Sequence, residues 1–250
     1  MAVGTLVAAV LMGCSGEADS RSRSASSSVV VEPDSGPVGV RDATVVWSSG
    51  VGVDLFDGRG RMVRAAKESD RIGFMVGLSA TYPGFADAVE KERARYYANP
   101  NLSHRPLVGT HFWHILEIVD TAAGFSATVC AQDSRSAVLK DDGRYVGDSG
   151  PASSYQVTFE RAPVPPRIGN VLFEPRTQDP GVADPGDQPQ WQYLTEDVFA
   201  GWSVTLGGNQ SSKWPCMDWG FTVVPDTPKD GTETVFSDIR PLTLPAYPGW

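Results

Sequence analysis

THFWHILEIVDTAAGFSATVCAQ, residues 110–132, decides the fold class of this chain. It contains two runs of alternating residues, 110–120 and 124–132, joined by a short turn at 121–124. A period of two places successive side chains on opposite faces of a sheet. The first run has large groups on both faces, one made of Phe112, His114, Leu116 and Ile118 and the other of Trp113, Ile115 and Val119. Its strand is therefore predicted to be covered on both sides.

The second run and the segments after it predict an antiparallel sheet. Its inward positions are Phe125, Ala127, Val129 and Ala131, and its outward positions are Ser126, Thr128, Cys130 and Gln132. Asp141-Asp142-Gly143 is a turn signal between short strands at 136–140 and 144–147. Residues 153–161 alternate again, with Tyr155, Val157 and Phe159 on one face.

Helices are predicted before this sheet. The stripe of Met62, Ala65, Ser69, Ile72 and Val76 indicates a helix over 60–79. A second helix is predicted over 83–98, with Pro83 in its first turn and Pro100 beyond its end. Its stripe consists of Phe85, Val89, Arg93 and Tyr96 or Tyr97. Helices followed by an antiparallel meander favour the α+β class, with the helices packed on one sheet.

Four sequence runs carry a resemblance over residues 55–161. They are YPGFADAV (82–89), FWHILEIV (112–119), GFSATVCAQDS (124–134) and VLKDDGRYV (138–146). In these runs the chain resembles actinobacterial lipoproteins of the nuclear transport factor 2-like (SnoaL-like) class. The resemblance implies a cone-like fold, in which helices pack on a curved antiparallel sheet around a pocket.

The start of the chain resembles a lipoprotein leader. Residues 2–13 are uncharged and too short to span a bilayer. Leu11-Met12-Gly13-Cys14 resembles the lipobox of bacterial lipoproteins, which implies cleavage before Cys14 and acylation of its thiol, as with palmitate. Because no Lys or Arg precedes the apolar run, the true translation start is expected upstream of Met1.

The resulting layout has five parts. A signal peptide (1–13) precedes the lipidated Cys14 and a Ser-rich flexible tether (14–37), which lacks the apolar surface to fold. The α+β domain follows at 38–161, and a Pro-rich loop at 162–190 has seven prolines in 162–189. Residues 191–250 are predicted to resume regular structure over 191–206 and to pack a turn-rich, aromatic tail on the same domain.

Composition limits the partners. The net charge of −9 disfavours nucleic acid and electrostatic adhesion to anionic lipid, so the predicted membrane contact is the lipid anchor alone. Arg outnumbers Lys 16 to 5, which indicates a high-GC bacterial genome. The expected location is the extracytoplasmic face of the cell membrane, in the cell envelope.

The cysteines fit that compartment. If Cys14 carries lipid, Cys130 and Cys216 remain as an even pair, which usually closes in an oxidising space. Two buried thiols are the alternative. Around Cys216, WPCMDWG (214–220) is either an exposed aromatic platform of Trp214 and Trp219 or a clasp that brings the tail to Cys130. We favour the clasp, which staples the tail by a disulfide.

No motif in the chain indicates a nucleophile, a cofactor or a metal. His111 and His114 lie three residues apart on a strand, so they point to opposite faces and cannot chelate one metal together. His114 with Tyr155, or Asp70 from the first helix, could line a pocket. The alternative is that His114 is a wall residue and Tyr155 is core.

These observations favour a non-catalytic binding or accessory protein of the envelope. Its partner would be an unidentified small molecule, a cell-wall polymer or an envelope protein. Two alternatives stay open: a pocket enzyme of the isomerase or dehydratase type, and a polysaccharide-binding module that uses the tail tryptophans.

Overall fold

The central hairpin forms as predicted. The computed structural model describes residues 36–99, 105–162, 189–207 and 214–250, so Cys14 and most of the Pro-rich segment lie outside the described residues. β2 (Leu107–Asp120) and β3 (Gly124–Gln132) pair antiparallel from Phe112 opposite Gln132 to Asp120 opposite Phe125. The inward positions predicted for β3 are all buried, the most exposed being Ala131 at 3%.

A β-bulge in β2 changes which of its later side chains face the core. The register shifts between Ile115 and Glu117, so one extra residue stands in β2 against its partner strand. Past this point Ile118 packs against the core and Val119 is 52% exposed. The prediction that Ile118 opposes the Trp113 face and that Val119 shares it was therefore wrong.

Among the residues that the structure describes, the sheet has eight strands. In chain order the other strands are β1 (Ala43–Ser49), β4 (Ser136–Leu139), β5 (Tyr145–Ser149), β6 (Ser153–Arg161), β7 (Trp202–Leu206) and β8 (Glu233–Ser237). The order is β7-β6-β3-β2-β4-β5-β8, and every pairing along it is antiparallel. β1, which the sequence patterns do not predict, pairs parallel to β2. The backbone of Tyr247 bonds Val45 and Trp47 of β1, so the tail covers that edge.

The first predicted helix is α1 (Gly58–Met75). The Asp57 carboxylate caps it by accepting from the Gly60 N–H at 2.7 Å. It ends four residues before the predicted limit, because Gly77 adopts a φ of 119° that no helix accommodates. Beside its apolar stripe, α1 also buries Arg64, Lys67 and Glu68.

The second predicted helix is two helices, α2 (Phe85–Ala88) and α3 (Lys91–Tyr97). The prediction of one helix over 83–98 was wrong because the residues between them pair with the sheet. Val89 bridges Val204 of β7, and the Glu90 N–H donates to the Val204 carbonyl at 3.0 Å. The Glu90 carboxylate accepts from the Leu206 N–H at 3.0 Å, so this link covers the outer edge of β7.

The tail holds a helix and a strand that the turn-rich prediction missed. α4 (Trp214–Val223) places Cys216 in a disulfide with Cys130, and both cysteines are buried. A Cβ on Gly220 would lie 2.5 Å from the Ala152 side chain, so the glycine permits close packing on the sheet. The structure therefore contains the disulfide that the predicted clasp requires. By contrast, regular structure within 191–206 is limited to β7.

These elements make an α+β fold with helices on both faces of the sheet. Strand alternation puts Val129 in the core with the buried residues of α1 and Cys130 on the opposite face beneath α4. Within the described ranges, no helix has the length and apolar character to cross a membrane.

Candidate functional site

Helix α1 carries two clusters of buried charge. The Glu68 cluster consists of Glu68, Arg64, Tyr82, Trp47 and Trp250. The Asp70 recess lies between α1, α3 and β6 and is lined by Lys67, Asp70, Arg71, Phe74, Arg93, Tyr96, Tyr97 and Tyr155. Buried charges on a helix are costly unless they are paired, so each cluster requires an account of its partners.

Neutral donors satisfy the Glu68 carboxylate. Its Oε1 accepts from the Trp47 indole N–H at 2.8 Å, and its Oε2 accepts from the Trp250 indole N–H at 2.8 Å and from the Tyr82 hydroxyl. Burial raises the pKa of Glu68, and the Arg64 charge and the three donors offset this only in part. The cavity beside Glu68 is about 10 Å³, no more than the space for one water.

The tail closes the Glu68 cluster. The Arg64 guanidinium donates to the carbonyls of Pro248 and Gly249, both at 3.0 Å, and lies 4.1 Å from the centre of the Trp250 ring. The backbone N–H of Trp250 donates to the Gln192 side-chain oxygen at 2.8 Å. The cluster therefore holds the C-terminal segment in place and leaves no room for a ligand.

The Asp70 recess, in contrast, contains a cavity of about 250 Å³. Three cations, Lys67, Arg71 and Arg93, line it together with the single carboxylate Asp70. The remaining lining is aromatic and consists of Phe74, Tyr96, Tyr97 and Tyr155. The recess is thus locally positive in a chain whose net charge is −9.

Asp70 is a fixed anion inside the recess. Lys67 Nζ lies 3.0 Å from Oδ2, Arg93 Nη2 lies 3.3 Å from Oδ1, and the Tyr97 hydroxyl donates to Oδ1. Burial acts to raise the pKa of Asp70, but Lys67, Arg93 and Tyr97 outweigh it and hold the pKa below its usual value. Asp70 is consequently a poor proton acceptor at neutral pH.

The cations keep donors that Asp70 does not use. An ammonium has three N–H donors and a guanidinium has five. The Lys67 ammonium also lies 3.7 Å from the centre of the Tyr155 ring. Arg71 donates a hydrogen bond from Nη2 to the Asp133 carboxylate at 2.5 Å. The Arg93 Nε is buried and has no hydrogen-bond partner within the described part of the chain. The side chains of Arg93 and Arg71 are 28% and 20% exposed, so their remaining donors can meet a second anion.

A His–Asp pair stands behind Arg71. His111 Nδ1 lies 2.7 Å from Asp133 Oδ1, and the Trp113 indole N–H donates to the same oxygen at 3.3 Å. Burial lowers the pKa of His111, so the ring is neutral at pH 7 and donates Nδ1–H. Burial opposes ionisation of Asp133, but Arg71 and His111 hold its pKa well below the usual value. Because His111 is 0% exposed, its ring holds Asp133 in place against Arg71 and cannot meet a solute.

The structure brings together only part of the predicted pocket. Tyr155 and Asp70 both line the recess. His114 lies on the opposite face, where its ring stacks on Trp219 at 5.2 Å and its Nδ1 is 2.8 Å from the Ser48 hydroxyl. His114 and Tyr155 therefore do not share a pocket. The alternation that separates His111 from His114 is as predicted.

The tail tryptophans differ from each other. Trp219 is stacked against His114, whereas Trp214 is 75% exposed. In the described ranges, no three His, Cys, Asp or Glu side chains lie close enough together to hold a metal ion.

Sequence reasoning missed the cations of the recess. Lys67, Arg71 and Phe74 recur at helical spacing beside the apolar stripe of α1, so they were visible as a second stripe. Arg93 stood inside a stripe of otherwise apolar residues. An arginine at such a position was the available signal for a buried charge that needs an anionic partner.

Comparison with known proteins gives no match among protein-family models, curated proteins or solved structures. The resemblance to the nuclear transport factor 2-like class stays a prediction.

Proposed function

We propose that this chain is a lipid-anchored, extracytoplasmic binding protein that holds a small organic anion in the Asp70 recess. One observation carries the proposal: Lys67 and Arg93 converge on the Asp70 carboxylate, Arg71 lines the same cavity, and these cations stand among aromatic walls with donors that Asp70 does not use. Carboxylate and phosphate groups are the ligands that such donors recognise.

The same geometry favours binding over catalysis. Asp70 and Asp133 are ion-paired, with pKa values held below the usual range. A general base needs a pKa near the working pH and access to the substrate. His111 has neither, because burial lowers its pKa and its ring is 0% exposed. The groups that do face the cavity are suited to hold an anion in place.

The envelope location rests on the sequence and on the tail disulfide. A closed Cys130–Cys216 pair supports an oxidising compartment, and it leaves Cys14 as the odd cysteine for a lipid. A recess between helices and sheet is also where a nuclear transport factor 2-like cone would hold its pocket. We include that curved cone and the Pro-rich insertion at 162–190 in the proposal.

Ligand binding is tested with benzoate and its neutral isostere benzamide, by calorimetry and thermal shift on the purified chain. We expect benzoate to bind and benzamide not to bind. Arg93→Gln should weaken the binding of benzoate by about tenfold, because it removes one charged hydrogen-bond donor to the carboxylate of the ligand. The matched control is Arg95→Gln on the exposed face of α3, which should leave the affinity unchanged. Equal binding of benzamide, or an unaffected Arg93 variant, would refute the recess as an anion site.

The anchor is tested separately by Cys14→Ser. The wild-type chain should sediment with membranes, and the variant should move to the soluble fraction, because the thiol that receives the lipid is gone. Continued sedimentation of the variant with membranes would exclude the anchor and leave the ligand site untouched.

A further inference from the structure

A second cavity adjoins the Asp70 recess. It measures about 430 Å³ and is bounded by α1 and by the ends of β3, β4 and β5; we call it the strand groove. Arg71 and Phe74 line both cavities, so these two side chains form the boundary between them. A molecule that crosses this boundary would occupy both spaces.

The boundary itself suits an apolar body. Phe74 is 45% exposed and stacks on Tyr96 with ring centres 6.1 Å apart and planes 22° apart. Tyr96 is 41% exposed. Two stacked, half-exposed rings offer a flat apolar surface, of the kind that marks a binding site when a cavity lies beside it.

The groove has the opposite charge to the recess. Its lining includes the carboxylates Asp133 and Asp148, and among the described residues Arg71 is the only cation that lines it. Asp133 is paired with Arg71, whereas Asp148 is exposed and accepts a hydrogen bond from Thr234 at 3.0 Å. The rest of the lining mixes apolar side chains with hydroxyls, including Met75, Leu107, Val138, Val146, Ser134 and Ser136. A second acid group in the groove would therefore meet Asp148 without a free cation to offset it.

We infer that the ligand is an elongated organic acid with one acidic end, whose acid group lies in the Asp70 recess and whose uncharged, apolar body crosses Phe74 into the strand groove. This inference rests on the proposed function, and it adds the ligand's length and its single charge. Burial of each methylene in the groove contributes to affinity, so longer monoacids should bind more tightly. A diacid of equal length should bind less tightly than the monoacid, because its second carboxylate would lie near Asp148.

The experiment compares propionate, nonanoate and azelate by calorimetry on the full chain. Propionate reaches the recess only, nonanoate adds an apolar chain, and azelate adds a second carboxylate at the far end of that chain. We expect nonanoate to bind at least about tenfold more tightly than propionate. We expect azelate to bind less tightly than nonanoate.

Two variants locate the effect. Asp148→Asn keeps an oxygen that can accept a hydrogen bond from Thr234 and removes the negative charge. It should therefore reduce the difference in affinity between azelate and nonanoate. Val146→Asn makes the groove more polar and should reduce the advantage in affinity of nonanoate over propionate, while leaving the affinity for propionate unchanged.

If propionate and benzoate both fail to bind, the proposed function is wrong. If they bind but nonanoate gains nothing, or if Asp148→Asn leaves the difference between azelate and nonanoate unchanged, only the two-part ligand is wrong.

Discussion

Glu68 and Asp70 stand two residues apart on one helix and each accepts a hydrogen bond from a tyrosine hydroxyl, yet they differ in their other partners and in the open space beside them. Glu68 meets two indoles and a phenol, with about 10 Å³ of free space beside it. Asp70 meets an ammonium and a guanidinium at the wall of a cavity of about 250 Å³. Burial raises the pKa of Glu68, whereas the cations lower that of Asp70.

The difference shows how one buried carboxylate can serve structure and the next can serve binding. Neutral donors saturate Glu68, and the C-terminal tail occupies the space around it. Cations around Asp70 exceed what one carboxylate can neutralise, so the recess keeps capacity for another anion. A surplus of one charge beside open volume is therefore a better guide to a site than burial alone.

Removal of Glu68 should break the comparison most severely. Glu68→Ala removes the negative charge beside the buried Arg64 and leaves the three donors from Trp47, Tyr82 and Trp250 without their acceptor, so we expect a loss of about 3–5 kcal/mol of unfolding free energy. Urea denaturation monitored by tryptophan fluorescence measures it. Asp70→Ala is the matched variant and should cost less, because Arg93 is partly exposed and solvent or a buffer anion can reach it. Equal losses would remove the distinction between the two clusters.

Removal of the tail tryptophan should have the next largest effect. Trp250→Ala deletes an indole that contacts both Arg64 and Glu68, and a loss of about 2–3 kcal/mol is expected for a half-buried Trp. Trp214→Ala is the control, since Trp214 is 75% exposed and the change should stay within about 0.5 kcal/mol. A negligible cost at Trp250 would show that the tail does not close the Glu68 cluster.

Asp70→Asn sharpens the comparison, because it should move stability and binding in opposite directions. The variant loses the pairing with Lys67 and Arg93, at a cost of about 1–2 kcal/mol. It also frees both cations, so benzoate should bind several-fold more tightly by calorimetry. Weaker benzoate binding in a folded variant would mean that Asp70 itself contributes to the ligand site.

Acid should affect the two carboxylates with opposite sign. The folded pKa of Asp70 is lowered, so its stabilisation is present above the unfolded value of about 3.9 and is lost as pH falls through the folded pKa. The folded pKa of Glu68 is raised, so its stabilisation is present below about 4.3 and is lost as pH rises through the folded pKa. We expect the unfolding free energy of the wild-type chain to fall as the pH is lowered from about 6 to about 3. In Asp70→Asn this fall should be smaller than in the wild type, and in Glu68→Gln it should be larger. Parallel profiles for the two variants would contradict both assignments.

Local patterns predicted the elements that local forces determine. Period two placed β3 and β6, helical spacing placed most of α1, and the even pair of cysteines left beside Cys14 led to the pairing of Cys130 with Cys216. Elements set by distant partners were missed. β1 depends on a parallel neighbour more than 60 residues away, and the break between α2 and α3 depends on β7. The Ile115–Glu117 bulge shifts register without any sign in the alternation.

The sequence by itself determined an α+β chain with a central hairpin, an outward Cys130 and a first helix that carries Asp70. Those properties follow from side-chain periodicity and need no knowledge of partners. Only the tertiary structure decided that Arg93 and Tyr155 meet Asp70 while His114 lies beyond the sheet. Helix packing and strand register set those distances, and a shift of one residue in a strand moves every later side chain to the other face.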